Sequence, residues 1–256
     1  MRADLWLFLT GLFSGAVNSV AGGGTFLAFP VLIGVAGLAT VAANTTCTVG
    51  LLKGMIASTG GYFRELFAQL RRDAQRQIVP SAVGGVLGAW LLIALGERVF
   101  AQVIPWLLIV SAALIAAQPL IGRWLVKHRP EQGYPAASVV VPFAVSVYGG
   151  YFGAGQGIAF VAAMGLLVPR SMSELNALRI LNAMVNTVVA ALTFIVLETR
   201  HPTGAVDLRA ALPLGAGSLL GGWAGVHVAR RLPGGVLRGV VAAVGVAIGV
   251  YLAVKR

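Results

Sequence analysis

The sequence predicts an all-α fold: a polytopic integral membrane protein made of two tandem, inverted repeats with glycine-broken helices and about 8 to 10 membrane segments. Three observations predict it. Of the 256 residues, 58% are hydrophobic and only 11% charged, a composition that no water-soluble domain of this size presents to solvent. No charged residue occurs from Leu5 to Leu52 or from Gln132 to Pro169, and each run far exceeds the roughly 20 apolar residues of one crossing. Finally, the chain contains itself twice. "PSAVGGVLGAW" from Pro80 and "PLGAGSLLGGW" from Pro213 align Pro80, Gly84, Gly88 and Trp90 with Pro213, Gly217, Gly221 and Trp223. A nearly equal shift sets "SVAGGG" (19–24) against "GYFGAG" (150–155). Residues 1–256 then form a single membrane domain, with repeat one at about 1–125 and repeat two at about 134–256, joined by the hydrophilic "GRWLVKHRPEQGYP" (122–135).

The elements follow one order in each half. A charge-free stretch (5–38; 136–168) has its glycine cluster near the middle. A span follows (41–61; 174–197), then a loop and two further spans (78–96 and 99–121; 210–228 and 236–254). As one straight helix, the first stretch would measure about 50 Å against a hydrocarbon core of about 30 Å. It is therefore two short helices meeting at glycines, either a re-entrant hairpin or two short crossings. Both contribute an even number of crossings, so with three further spans each half crosses an odd number of times and the second half is inverted. Loop charge agrees with that topology. The basic loops 64–76, 122–131 and 230–238 fall on one face, and the nearly neutral 97–98 and 198–209 fall on the other. Arg2 before an apolar run looks like a signal sequence, but no small-x-small cleavage site follows, and the segment is read as the first structural element.

The net charge of +11, from 19 Lys and Arg against 8 Asp and Glu, lies mostly in those loops, which argues against nucleic acid as a partner. Cys47 is the one cysteine, so the chain has neither an intrachain disulfide nor a cysteine metal site. His128 and His201 fall in loops and His227 near a span end, and there is no Walker-type phosphate loop. The expectation is no enzyme, no metal and no cofactor. Gly84, Gly88, Gly217 and Gly221, four residues apart in pairs, are read as helix-packing surfaces, and such small-residue faces permit a homodimer. Trp6, Trp106, Trp124 and Trp223 are read as interfacial anchors or packing groups.

Non-helical backbone survives inside a bilayer only where protein or a water-filled cavity surrounds it. Matching breaks in two repeats therefore point to a transporter's binding site. A helix that starts after Gly24 or Gly157 aims unpaired N–H groups, equivalent to about half a positive charge, at the membrane interior, where they attract an anion. All eight carboxylates lie in loops or near span ends, whereas Lys53 and Arg179 fall within spans; an embedded cation without an embedded carboxylate favours an anionic solute. The candidate substrate-binding residues are Asn18, Gly22, Gly23, Gly24, Thr25, Asn44, Thr45, Gly153, Gly155, Gln156, Gly157, Arg179 and Asn182. Among the polar residues, Asn18, Asn44, Thr45, Gln156, Asn182 and also Asn186 either line a site or serve as interhelical hydrogen-bond glue.

"GLFSGAVNSVAGGGTFLAFPVLI" (11–33) and "YGGYFGAGQGI" (148–158) resemble the paired signatures of the sulfite exporter TauE/SafE family of bacterial permeases, and the likeness covers essentially the whole chain. The resemblance implies a multi-pass protein of the cytoplasmic (inner) membrane that moves sulfite, an organosulfonate or a related small anion, usually outward. It carries over to Asn18 and Gly22 to Gly24, and to Gly150, Gly153, Gly155 and Gly157. Gly149 stands where relatives often have a polar or acidic residue, a departure from symmetric use of the two motifs. The expected function is secondary transport of a small sulfur-containing oxyanion by alternating access, with the anion and the lipid bilayer as partners. An anion channel and a non-transporting membrane assembly factor are the alternatives.

Overall fold

The computed structural model describes residues 2–20, 23–60, 70–128, 130–200 and 204–229. Regular structure among them is helical throughout: α1 (Arg2–Val20), α2 (Thr25–Gly34), α3 (Thr40–Gly60), α4 (Arg71–Lys127), α5 (Ala137–Tyr151), α6 (Gln156–Leu167), α7 (Met172–Arg200) and α8 (Leu208–Ala229). Both charge-free stretches break at their glycines, the first into α1 and α2, the second into α5 and α6. The span expected at 236–254 and the loop at 230–238 lie outside the described residues.

Helix α4 is two arms. At Gly96 the backbone has φ 71° and ψ −177°, a region essentially reserved for glycine, and the chain reverses there. Leu70 and Ala74 at the start of the first arm and Leu125 near the end of the second share one apolar cluster with Val168 and Leu175, so the arms lie side by side as a hairpin. They are the spans expected at 78–96 and 99–121.

The bundle has two distinct ends. At one, the Glu97 carboxylate accepts hydrogen bonds from Thr40 N–H (2.7 Å), Thr40 Oγ1 (2.7 Å) and Val41 N–H (2.8 Å), capping α3 from a different helix. Asp207 N–H donates to Thr46 Oγ1 (2.9 Å), which brings the α7–α8 connection to the same end. At the other end, Arg170 pairs with Asp73 (2.6 Å) beside the Leu125 cluster. Residues 70–76 and 122–128 thus gather at one end, and 97–98 and 204–207 at the other, the division that loop charge predicts.

The broken hairpins enter from opposite ends. Helix α1 runs alongside α8 in the same direction, Gly11 facing Leu214, Gly15 facing Ser218, and Ser19 Oγ donating to the Gly222 carbonyl (3.0 Å). It therefore starts at the Glu97 end, and α2 leads back there to Thr40. Helix α5 starts at the Leu125 end, where Tyr134 N–H donates to the Leu167 carbonyl (3.0 Å), and α6 returns to it with Gly165 against Leu125.

The glycines four residues apart form the seams. A Cβ on Gly84 or Gly88 of α4 would overlap the carbonyl oxygens of Phe143 and Val147 on α5. On Gly217 or Gly221 of α8 it would overlap those of Phe8 and Leu12 on α1. Each repeat's glycine seam receives the other repeat's broken hairpin, which interlocks the halves. Outside, Val79, Leu120, Leu212 and all of Trp6, Trp90, Trp106, Trp124 and Trp223 are exposed, a surface suited to lipid.

Candidate functional site

The two hairpin tips meet between α3 and α7 around a largely enclosed cavity of about 50 Å³. Asn18 and Thr25 line it from the first hairpin, Gly149, Phe152, Gly153, Gln156 and Gly157 from the second. Helix α3 adds Thr48, Leu51 and Met55, and α7 adds Arg179, Ile180, Ala183, Asn186 and Thr187. The spacing on α3, three then four residues, is one helix face. A shift of 132 carries Thr48, Leu51 and Met55 onto Ile180, Ala183 and Thr187, and a shift of 131 carries Asn18 and Thr25 onto Gly149 and Gln156. The lining is therefore a pair of matched walls.

Charge breaks the match. Arg179 is only 4% exposed, and the same shift of 132 sets it opposite Cys47, which is buried and does not line the cavity. The arginine lies across Gly157 at the start of α6: a Cβ there would stand 2.9 Å from Arg179 Cδ and 3.1 Å from Nη1. Helix α6 starts after Gly155, whose φ of 75° turns the chain, and the Gly155 carbonyl accepts from the N–H groups of Ile158 (3.0 Å) and Ala159 (3.2 Å). Gly157 precedes both. The positive end of a helix and a buried guanidinium thus meet at one wall, while no Asp or Glu is among the described lining residues. That combination stabilises negative charge.

Gln156 is held at both ends of its amide. Its Nε2 donates to Asn182 Oδ1 (3.0 Å), and its Oε1 accepts from Asn186 Nδ2 (3.0 Å), the two asparagines sitting one turn apart on α7. Asn182 Nδ2 in turn donates to Ser81 Oγ of α4 (2.7 Å) and Ser146 Oγ of α5 (2.9 Å). Gly149 makes this possible, since a Cβ there would overlap Gln156 Oε1 and lie 2.5 Å from Asn186 Nδ2. In the first hairpin the arrangement is reversed: Asn18 Oδ1 accepts from Gly24 N–H (2.7 Å), and the smaller Thr25 opens α2.

A family model described as Sulfite exporter TauE/SafE matches residues 7–252. The chain belongs to that family. It is 26% identical over 251 residues to a probable membrane transporter protein ORF9 of a Sinorhizobium species, covering 96% of this chain and 91% of the relative. It is also 28% identical over 181 residues to the probable membrane transporter protein YfcA of Escherichia coli K12, covering 70% of this chain and 66% of that one. These descriptions are those of membrane transporters and not of enzymes, and this TauE/SafE chain is a membrane transporter by the same measure.

Of the residues singled out in the sequence, Asn18, Thr25, Gly153, Gln156, Gly157, Arg179 and Asn186 reach the cavity. Gly23 and Gly24 form the turn behind Asn18, and Gly22 lies outside the described residues. Gly155 backs onto Ser111 of α4, and Asn182 stands behind Gln156. Asn44 and Thr45 point elsewhere. Asn44 is one turn too near the Glu97 end and donates to the Tyr151 carbonyl (3.1 Å), while Thr45 faces round the helix to the carbonyls of Val41 (3.1 Å) and Ala205. Lys53 is exposed. The lining also holds Thr48, Leu51, Met55, Phe152, Ile180, Ala183 and Thr187, none of them a sequence candidate for the site, and Gly149, which in the sequence is only a departure from the family pattern. The helix spacing of the α3 set and its repetition after 132 residues was the signal available for most of them.

Proposed function

We propose that this TauE/SafE protein is a multi-pass secondary transporter of the cytoplasmic membrane that moves a small sulfur-containing oxyanion such as sulfite, outward, by alternating access. One observation carries the reading: Arg179 and the start of α6 converge on an enclosed cavity whose described lining holds no carboxylate. A guanidinium and the positive end of a helix on one wall both favour negative charge in the space they face. Asn18, with Oδ1 committed to Gly24, has its amide N–H groups left as donors, and Thr25 and Thr187 add hydroxyls.

Size favours the smaller members of the class. At about 10–15 Å³ per water, 50 Å³ admits roughly three to five heavy atoms, which suits sulfite or sulfate. Enclosure by Leu51, Met55 and Phe152 favours a carrier over a channel, since a channel requires a continuous wet path. Opening toward either face by rocking one interlocked unit against the other is the corresponding transport step.

The test is flux in proteoliposomes, with sulfite, thiosulfate, sulfate and sulfoacetate offered in turn. Saturable sulfite flux that Arg179→Ala abolishes is the expected result. Arg179→Lys keeps partial flux if the group acts as a point charge and loses nearly all if it makes a bidentate contact. Non-saturating flux would indicate the channel, and flux of none of the four anions would leave the assembly role.

A further inference from the structure

A second cavity lies far from the hairpin tips, at the Leu125 end of the bundle. It is an open groove of about 590 Å³ between the last two turns of α4 and the C-terminal half of α6, within the roughly 300–1,000 Å³ span of ligand clefts. Its floor is apolar, with Leu120, Ile121, Leu125, Ala162 and Leu166. Its rim is basic: Arg123 and Lys127, one turn apart on α4, flank it, and no carboxylate is among its described lining residues. Both are exposed, and neither forms an ion pair among the described residues. Trp124, whose indole stacks on His128 at 4.5 Å, closes the same wall.

An apolar trough topped by two cations and a tryptophan, at the end of a membrane helix, matches the layering of a lipid: acyl chain below, headgroup above. We infer that this groove is a binding site for an anionic phospholipid, its phosphate held between Arg123 and Lys127 and its chain laid along Leu120, Ala162 and Leu166. The charge commits the occupant, because a zwitterionic lipid places a cation of its own beside the same two side chains. The inference needs only that the protein sits in a bilayer, and it is independent of what the hairpin cavity binds. It also places the anionic lipid at the end where the chain's basic loops gather, the leaflet where such loops reside.

Native mass spectrometry of the purified full-length protein with phosphatidylglycerol or phosphatidylcholine added in equal amounts reads it directly. Phosphatidylglycerol is expected to be retained preferentially. Arg123→Gln with Lys127→Gln should weaken its binding about 30-fold, roughly five-fold for each basic side chain near an anionic surface. Arg123→Lys with Lys127→Arg should restore it, and Arg71→Gln with Arg72→Gln, exposed at the same end but outside the groove, should leave it unchanged. Equal retention of the two lipids, an unchanged preference in the groove variant, an equal loss in the control variant, displacement by inorganic phosphate, or a protein dimer in place of bound lipid would each overturn the assignment.

Discussion

The two broken hairpins hold corresponding positions and solve the same problem in opposite ways. In the first, the polar side chain comes from the incoming arm: Asn18 reaches over to Gly24, and α2 opens with the compact Thr25. In the second, the incoming arm carries Gly149, and the polar group comes from the returning helix as Gln156, locked by Asn182 and Asn186. Each tip thus has one large polar group and one small residue, exchanged between arms. Among the described residues, only the second tip has a cation over its helix start, Arg179 above Gly157. A duplicated fold has kept its shape on both sides while giving the charge to one, and the binding energy for an anion is expected to be correspondingly lopsided.

The largest effect should come from the seams that make the halves alike. Gly217→Leu and Gly88→Leu each force a side chain into a backbone carbonyl of the opposite hairpin, and both should abolish recovery of monodisperse protein on size exclusion. Unequal outcomes would show that the hairpins are not equivalent scaffolds. Next, loss of Arg179 should weaken sulfite binding about 100-fold, the scale of one or two charged hydrogen bonds, whereas Cys47→Ala at the matching position should change it less than about two-fold; thermal-shift titration compares them. Gly149→Asn expels Gln156 from its place and should cost about 1–3 kcal/mol of stability. Adding Gln156→Thr imports the first hairpin's solution and should recover part of that loss, read as a rise in melting temperature. The smallest effect is expected for Asn18→Ala, which removes a single bond to Gly24 and should cost about 0.5–2 kcal/mol, as helix-start caps do.

Much of this architecture was legible in the residues. A stretch too long for one helix had to break, glycine clusters showed where, and Gly84, Gly88, Gly217 and Gly221 announced the seams through their spacing. The reversal at Gly96 was legible too, as the gap between two spans. Arg179 stood out because an embedded cation is costly. What composition could not reveal is rotation about a helix axis. Asn44 and Thr45 share a polar run with Thr48, yet only Thr48 reaches the cavity, because Tyr151 and Ala205 of other elements take the first two. Likewise, that Asn182 works behind Gln156 and not in the cavity depends on Ser81 and Ser146, more than thirty residues away in sequence.

Selenite, a heavier analogue of sulfite, offers the most direct test, because its anomalous scattering locates one atom in a crystal of the intact protein. The selenium peak is expected between the hairpin tips, within hydrogen-bonding reach of Arg179 and flanked by Thr25 and Gly157, and it should vanish in Arg179→Ala crystals of the same form. A peak elsewhere in the bundle, or one that persists without the arginine, would contradict the account.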